Sequence, residues 1–157
     1  MVRLPSNARS WSFAGLLLGA LAAMCATAGD PQTTAGIGPQ KVAIQGYDTV
    51  AYFTEGQPMK GKPEFSYSWN DAQWYFLNAD QRKLFIADPE RYAPQFGGHC
   101  SMALVRGEIK AVDPEAWAIV NGKLYLSYSK PGIDKFRNNA VENIKKAEEN
   151  WAKAQTE

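Results

Sequence analysis

The residues best suited to chemistry in this chain lie together in Phe96-Gly97-Gly98-His99-Cys100-Ser101-Met102. His99 is the sole histidine of 157 residues, and Cys100 is one of two cysteines. An imidazole titrates near neutral pH, and a thiol serves as a soft nucleophile or a soft metal ligand. Gly97-Gly98 allows the backbone conformations that a tight turn or a close approach needs. The plainer reading makes Gly97-Gly98 a turn and Cys100 a small buried hydrophobe, because free cysteine is among the most buried residue types.

Three chemistries follow from these residue types. In the first, Cys100, His99 and Met102 bind a soft transition metal such as Cu(I), with Met59 as a further thioether; thiolate, imidazole and thioether all suit that ion. Neighbouring side chains on an extended backbone point apart, so His99 and Cys100 can meet at one ion only if the turn after Gly98 is irregular. In the second, Cys100 is a redox nucleophile, with His99 or a helix N-terminus favouring its thiolate. Turnover would then run through a sulfenic acid or a mixed disulfide with a thiol partner protein. In the third, the chain is a non-catalytic module binding a small ligand or a protein. Its pocket is expected at Tyr47, Asp48, Tyr52 and Trp117, with Trp74 and Asp113 nearby, although such aromatics are more often core. No phosphate loop, nucleophile elbow or dinucleotide fingerprint is present, so no organic cofactor is expected and an enzymatic role is the weaker expectation.

The N-terminus bears on where this chemistry takes place. Arg3 and Arg9 precede an apolar run from Phe13 to Ala23, followed by Ala26-Thr27-Ala28. That order is a secretory signal over residues 1–28, cleaved after Ala28 and leading to the periplasm or the exterior. The run falls short of the roughly 20 residues that span a bilayer, so no membrane association is expected after cleavage. Cys25 leaves with the signal, and Cys100 then has no internal disulfide partner. The formal charge of +1 is nearly balanced, and no basic patch interleaved with aromatics favours nucleic acid.

The elements that must position these residues read as α+β. Gly29 to Gln40 is rich in Thr, Gly and Pro and is expected to be a flexible arm, residues 29–40, ahead of one domain over residues 41–155. Lys41 to Ile44 suggests a short strand, and Asp48 is placed to cap a helical turn over Thr49 to Phe53. Phe65 to Trp69 alternates with period two, and Gln73 to Leu77 returns across an Asn70-Asp71-Ala72 turn as a hairpin. Asn78 and Gln81 stand in capping-box positions for a helix with Leu84 and Phe85 inward, ending at Asp88-Pro89. Ser101 to Val105 reads as a strand or buried turn, and Asp113-Pro114-Glu115 as a helix start or turn. Asn121-Gly122 between two strand-like runs is the type I′ hairpin signature, with Leu124, Leu126 and Tyr128 facing the core. From Ile133 to Gln155, Phe136, Ala140, Ile144, Ala147 and Trp151 form one apolar stripe of a long amphipathic helix. Trp69-Asn70, Trp74-Tyr75-Phe76 and Phe85 are echoed by Val120-Asn121, Leu124-Tyr125-Leu126 and Phe136. The expected architecture is two hairpin-plus-helix units packed as one compact domain.

Several of these stretches resemble a known family. Gly46-Tyr47-Asp48-Thr49-Val50-Ala51-Tyr52-Phe53, Trp74-Tyr75-Phe76 and Phe85 with Asp88-Pro89-Glu90-Arg91-Tyr92 look like the YHS domain. With Gly97-Gly98-His99-Cys100, Asp113-Pro114-Glu115-Ala116-Trp117 and Gly122-Lys123-Leu124-Tyr125-Leu126, the chain resembles the small exported YHS-domain proteins of Gram-negative bacteria. The resemblance implies metal binding, and the association of that subgroup with selenocysteine at the position of Cys100 implies redox or soft-metal chemistry there. His99 departs from the tyrosine expected at its position. Thr49 to Ala51, Leu77 and Gln81 stand where the wider family's cysteines are expected, which excludes a closed four-cysteine zinc site.

Overall fold

A computed structural model describes residues 41–156. The expected signal over 1–28, with Cys25, and the arm over 29–40 lie outside the described residues. Five strands and six helices follow one another: β1 (Lys41–Val42), α1 (Ala51–Thr54), β2 (Lys62–Trp69), β3 (Ala72–Phe76), α2 (Ala79–Ala87), α3 (Pro89–Tyr92), α4 (Ser101–Leu104), β4 (Asp113–Val120), β5 (Lys123–Ser127), α5 (Lys130–Asn138) and α6 (Ala140–Ala154). The protein is α+β, with a three-stranded sheet in the order β1-β3-β2 and a separate β4-β5 hairpin. Among the described residues no helix is long and apolar enough to cross a membrane.

The faint echo in the sequence corresponds to a detailed structural repeat. Each half opens with a left-handed turn, Ala43–Gly46 or Gln95–Gly98, carrying three consecutive positive φ angles: Ile44, Gln45 and Gly46, then Phe96, Gly97 and Gly98. A one-turn helix follows (α1, α4), then a hairpin whose two-residue turn has positive φ at both positions, Asn70-Asp71 or Asn121-Gly122. That is the type I′ geometry, whose twist matches that of the flanking strands. Both hairpins shift register at the same end, between Lys62 and Ser66 in one and between Asp113 and Trp117 in the other. Asn78 then caps α2 through Oδ1, which accepts from Asp80 N and Gln81 N, while Ser129 Oγ caps α5 by accepting from Gly132 N. Phe85 and Phe136 take equivalent places as the fully buried residues of these two helices.

Each half has its own core. Trp74, Phe76, Phe85 and Tyr92 pack in the first, and Phe96, Leu104, Tyr125 and Phe136 in the second. Tyr52, Leu124 and Leu126 form a third cluster where the halves meet, with Ile44, Phe53 and Trp117 against it.

Several expected details differ. Leu84 is 42% exposed, because α2 turns only Phe85 and Gln81 inward. Gln81 completes no capping box; its Nε2 donates instead to Thr54 Oγ1 and Glu55 Oε1. Tyr128 is 50% exposed, since β5 ends at Ser127 and it is Ser127 that is buried. Ser101 to Leu104 is helix α4, started by Cys100, and Asp113 to Glu115 begins β4. The C-terminal stripe runs over two helices. Asn139 (φ −128, ψ 50) leaves the helical region, and Asn143 Nδ2 donates to the end carbonyls of Lys135 and Phe136, which α6 therefore cannot continue.

Candidate functional site

The left-handed turn places His99 and Cys100 back to back. Glycine is favoured at position 98 by φ +77, and a Cβ there would press on the Ile44 Cδ1 methyl at 2.5 Å. His99 N donates to Phe96 O at 3.0 Å and Cys100 N to Lys110 O at 3.0 Å, which pins both residues in extended conformations. Cys100 Sγ is turned inward and fully buried. It accepts from Ala103 N at 3.4 Å and Tyr128 N at 3.3 Å, and lies 3.4 Å from Ser127 Oγ. The sulfur thus joins the start of α4 to the end of β5.

The same device holds the first half together, with a carboxylate in place of the sulfur. Asp48 N donates to Met59 O at 2.9 Å, as Cys100 N does to Lys110 O. Asp48 Oδ1 accepts from Val50 N at 2.9 Å and Ala51 N at 3.4 Å; Oδ2 accepts from Leu77 N at 2.8 Å, just past the end of β3. Asp48 is completely buried, and that burial raises its carboxyl above the ordinary range, partly offset by the N–H donors of Leu77, Val50 and Ala51. Cys100 is therefore the counterpart of an internal tie, and the tie alone accounts for its burial and its hydrogen bonds.

His99 goes the other way. Its ring packs against Trp151 at 5.6 Å between centroids and faces a surface cleft. Met102 is half-buried against the second-half core, and the Met59 thioether is 3.9 Å from Gln57 Nε2. His99, Cys100 and Met102 are close in sequence, and their side chains have different surroundings: Cys100 Sγ lies among backbone N–H groups beside Ser127, the His99 ring against Trp151, and Met102 against the second-half core. Arg106 lies beside this region. Its guanidinium is raised chiefly by its hydrogen bond to Glu108, and weakly by Tyr128 and Cys100.

The residues expected to line a ligand pocket are occupied in joining the halves. Tyr52 is buried, donates its hydroxyl to Pro114 O at 2.9 Å and meets Trp117 edge-on at 5.2 Å. Burial raises its hydroxyl far above the usual phenol range. Tyr47 reaches Glu115 Oε1 at 3.4 Å beneath the Lys60 ammonium, and Asp113 Oδ1 accepts from Glu115 N.

A concave site lies elsewhere. A cleft of about 600 Å³ lies between the halves, its walls carrying Ile44, Trp69, Trp74, Pro94, Ile109 and His99. Trp74 Nε1 donates to Trp69 O at 2.9 Å, so that wall is fixed and its polar atom satisfied. Ile109 at the rim is 49% exposed. Ile44, a β-branched residue, takes φ +45 here, a costly conformation of the kind that gathers at functional surfaces. His99 is the one cleft residue picked out by sequence alone as a chemical candidate, with Trp74 named only for another pocket. An apolar Ile109 between Glu108 and Lys110 was the available signal for the rim.

Comparisons with protein-family models, curated proteins and solved structures return no match to this chain.

Proposed function

We propose that this chain is an exported, YHS-like, non-catalytic binding module that takes a small organic ligand in the cleft beside His99. One observation carries the reading: the cleft has the volume and apolar walls of a small-molecule site, and faces an imidazole with no hydrogen-bond partner among the described residues. The internal equivalence of Cys100 and Asp48 supports it by giving the thiol a structural task. The neutral fluorophore N-phenyl-1-naphthylamine tests it. Saturable fluorescence enhancement is expected with the native protein and is expected to be lost in Ala111→Trp, which fills the cleft from an exposed position while leaving the circular dichroism native. Absence of saturable binding, or unchanged binding in that variant, refutes the reading.

A second reading places a thiol site at Cys100, for a redox partner or a soft metal ion, and is favoured by the donors around Sγ and the nearby Arg106. It requires the sulfur to become uncovered. Iodoacetamide labelling of the folded protein, blocked by one equivalent of Cu(I), would bring metal handling forward; labelling without protection would favour redox chemistry. A thiol that stays inert until the protein unfolds retires both.

A further inference from the structure

The walls and rim of the cleft narrow the class of ligand, granted the binding reading above. We infer that the ligand is a flat, largely apolar molecule bearing one acidic group, and that His99 is the residue that reads that group. The apolar walls are tryptophan, isoleucine and proline, which offer contact area but few hydrogen bonds, and Gln45 Nε2 on the lining is already given to Val112 O, so selection by charge falls to the titratable groups. The titratable groups on the lining are Lys41, Asp71, His99 and Lys110. Asp71 belongs to the exposed β2–β3 turn, and Lys110 Nζ is already bound to Glu108 Oε2 at 2.6 Å. Lys41 makes no ion pair among the described residues. His99 has an imidazole with no hydrogen-bond partner among the described residues, its ring packed against Trp151 at 5.6 Å. An imidazole held in this way donates an N–H to a carboxylate with little ordering cost, and the Lys41 ammonium adds long-range attraction of the same sign.

The test is competition against bound N-phenyl-1-naphthylamine on the full chain, using 1-naphthoate and 1-naphthamide, which share a ring system and differ in charge. The acid should compete about tenfold better than the amide, the scale of one hydrogen bond to a charged group. His99→Ala should remove that preference while leaving the amide's affinity unchanged, and Lys41→Met should reduce it in part. Equal competition by acid and amide, or a preference that survives in His99→Ala, overturns the acidic class and leaves the cleft standing. Binding of the fluorophore with no competition from either compound overturns the ligand shape as well. Failure of the fluorophore itself to bind removes the cleft reading and this inference with it.

Discussion

Replacing Asp48 by Ala tests the central structural claim, that one buried acceptor ties each helical turn to the end of its hairpin. In the first half the substitution removes two short hydrogen bonds, from Leu77 N at 2.8 Å and Val50 N at 2.9 Å, and one longer bond from Ala51 N at 3.4 Å. A buried donor left without a partner costs about 1–3 kcal/mol. The two short bonds therefore set a gross loss of about 2–6 kcal/mol. Two effects reduce it: the Leu77 amide is only partly buried, so water can reach it, and removing the carboxyl relieves the burial cost that raises its pKa. The net expectation is a loss of about 2–4 kcal/mol. Urea unfolding followed by tryptophan fluorescence measures it, given that Trp69 and Trp74 belong to the same half. Hydrogen exchange at Leu77 should accelerate more than at amides of β4 and β5. A loss below about 1 kcal/mol, or exchange at Leu77 unchanged, would show that the carboxylate does not hold β3 to α1.

Two further predictions extend the argument. Cys100→Ala leaves Ala103 N and Tyr128 N unpaired without overfilling the site, and should cost about 2–4 kcal/mol, whereas Cys100→Ser keeps an acceptor and should cost less than half as much; equal thermal shifts for the two variants would remove the tie from Cys100. The Asp48 carboxyl has a raised pKa, so its contribution to stability is fully present below the ordinary carboxylate range and is lost as pH rises through the folded value. Urea midpoints from acid to neutral pH should therefore show wild type losing ground to Asp48→Asn as pH rises, and parallel profiles would contradict the raised pKa.

The repeat also explains how one fold can carry two different residues at one place. Asp48 and Cys100 each stand two residues after a left-handed turn, next to an extended Tyr47 or His99, and each presents an acceptor to the N–H groups of a one-turn helix and of the residue after a strand. A carboxylate supplies two oxygens for these donors. A sulfur supplies one larger, softer atom, with the Ser127 hydroxyl beside it. The neighbouring pair, Tyr47 and His99, has diverged in surroundings: Tyr47 is engaged by Lys60 and Glu115, while His99 stands over the cleft.

By itself the sequence determined some of the local elements. Asn121-Gly122 required a turn with two positive φ angles, Asn78 supplied a cap, and the spacing from Phe136 to Trp151 specified an apolar stripe. Each of these depends on a side chain and a backbone a few residues apart, so the information is contiguous. Tertiary structure alone decided which way His99 and Cys100 face, and where a cleft opens. His99 and Cys100 follow the left-handed turn in extended conformations, which send adjacent side chains to opposite sides, and the cleft draws on Ile44, Trp69, Pro94 and Ile109, which lie far apart in the chain. Tyr47, Tyr52 and Trp117 illustrate the same limit from the other side. Their residue types suit a core more often than a pocket, and the meeting of the two halves buried Tyr52 with Trp117 packed against it, while Tyr47 stayed half-buried with its hydroxyl on Glu115.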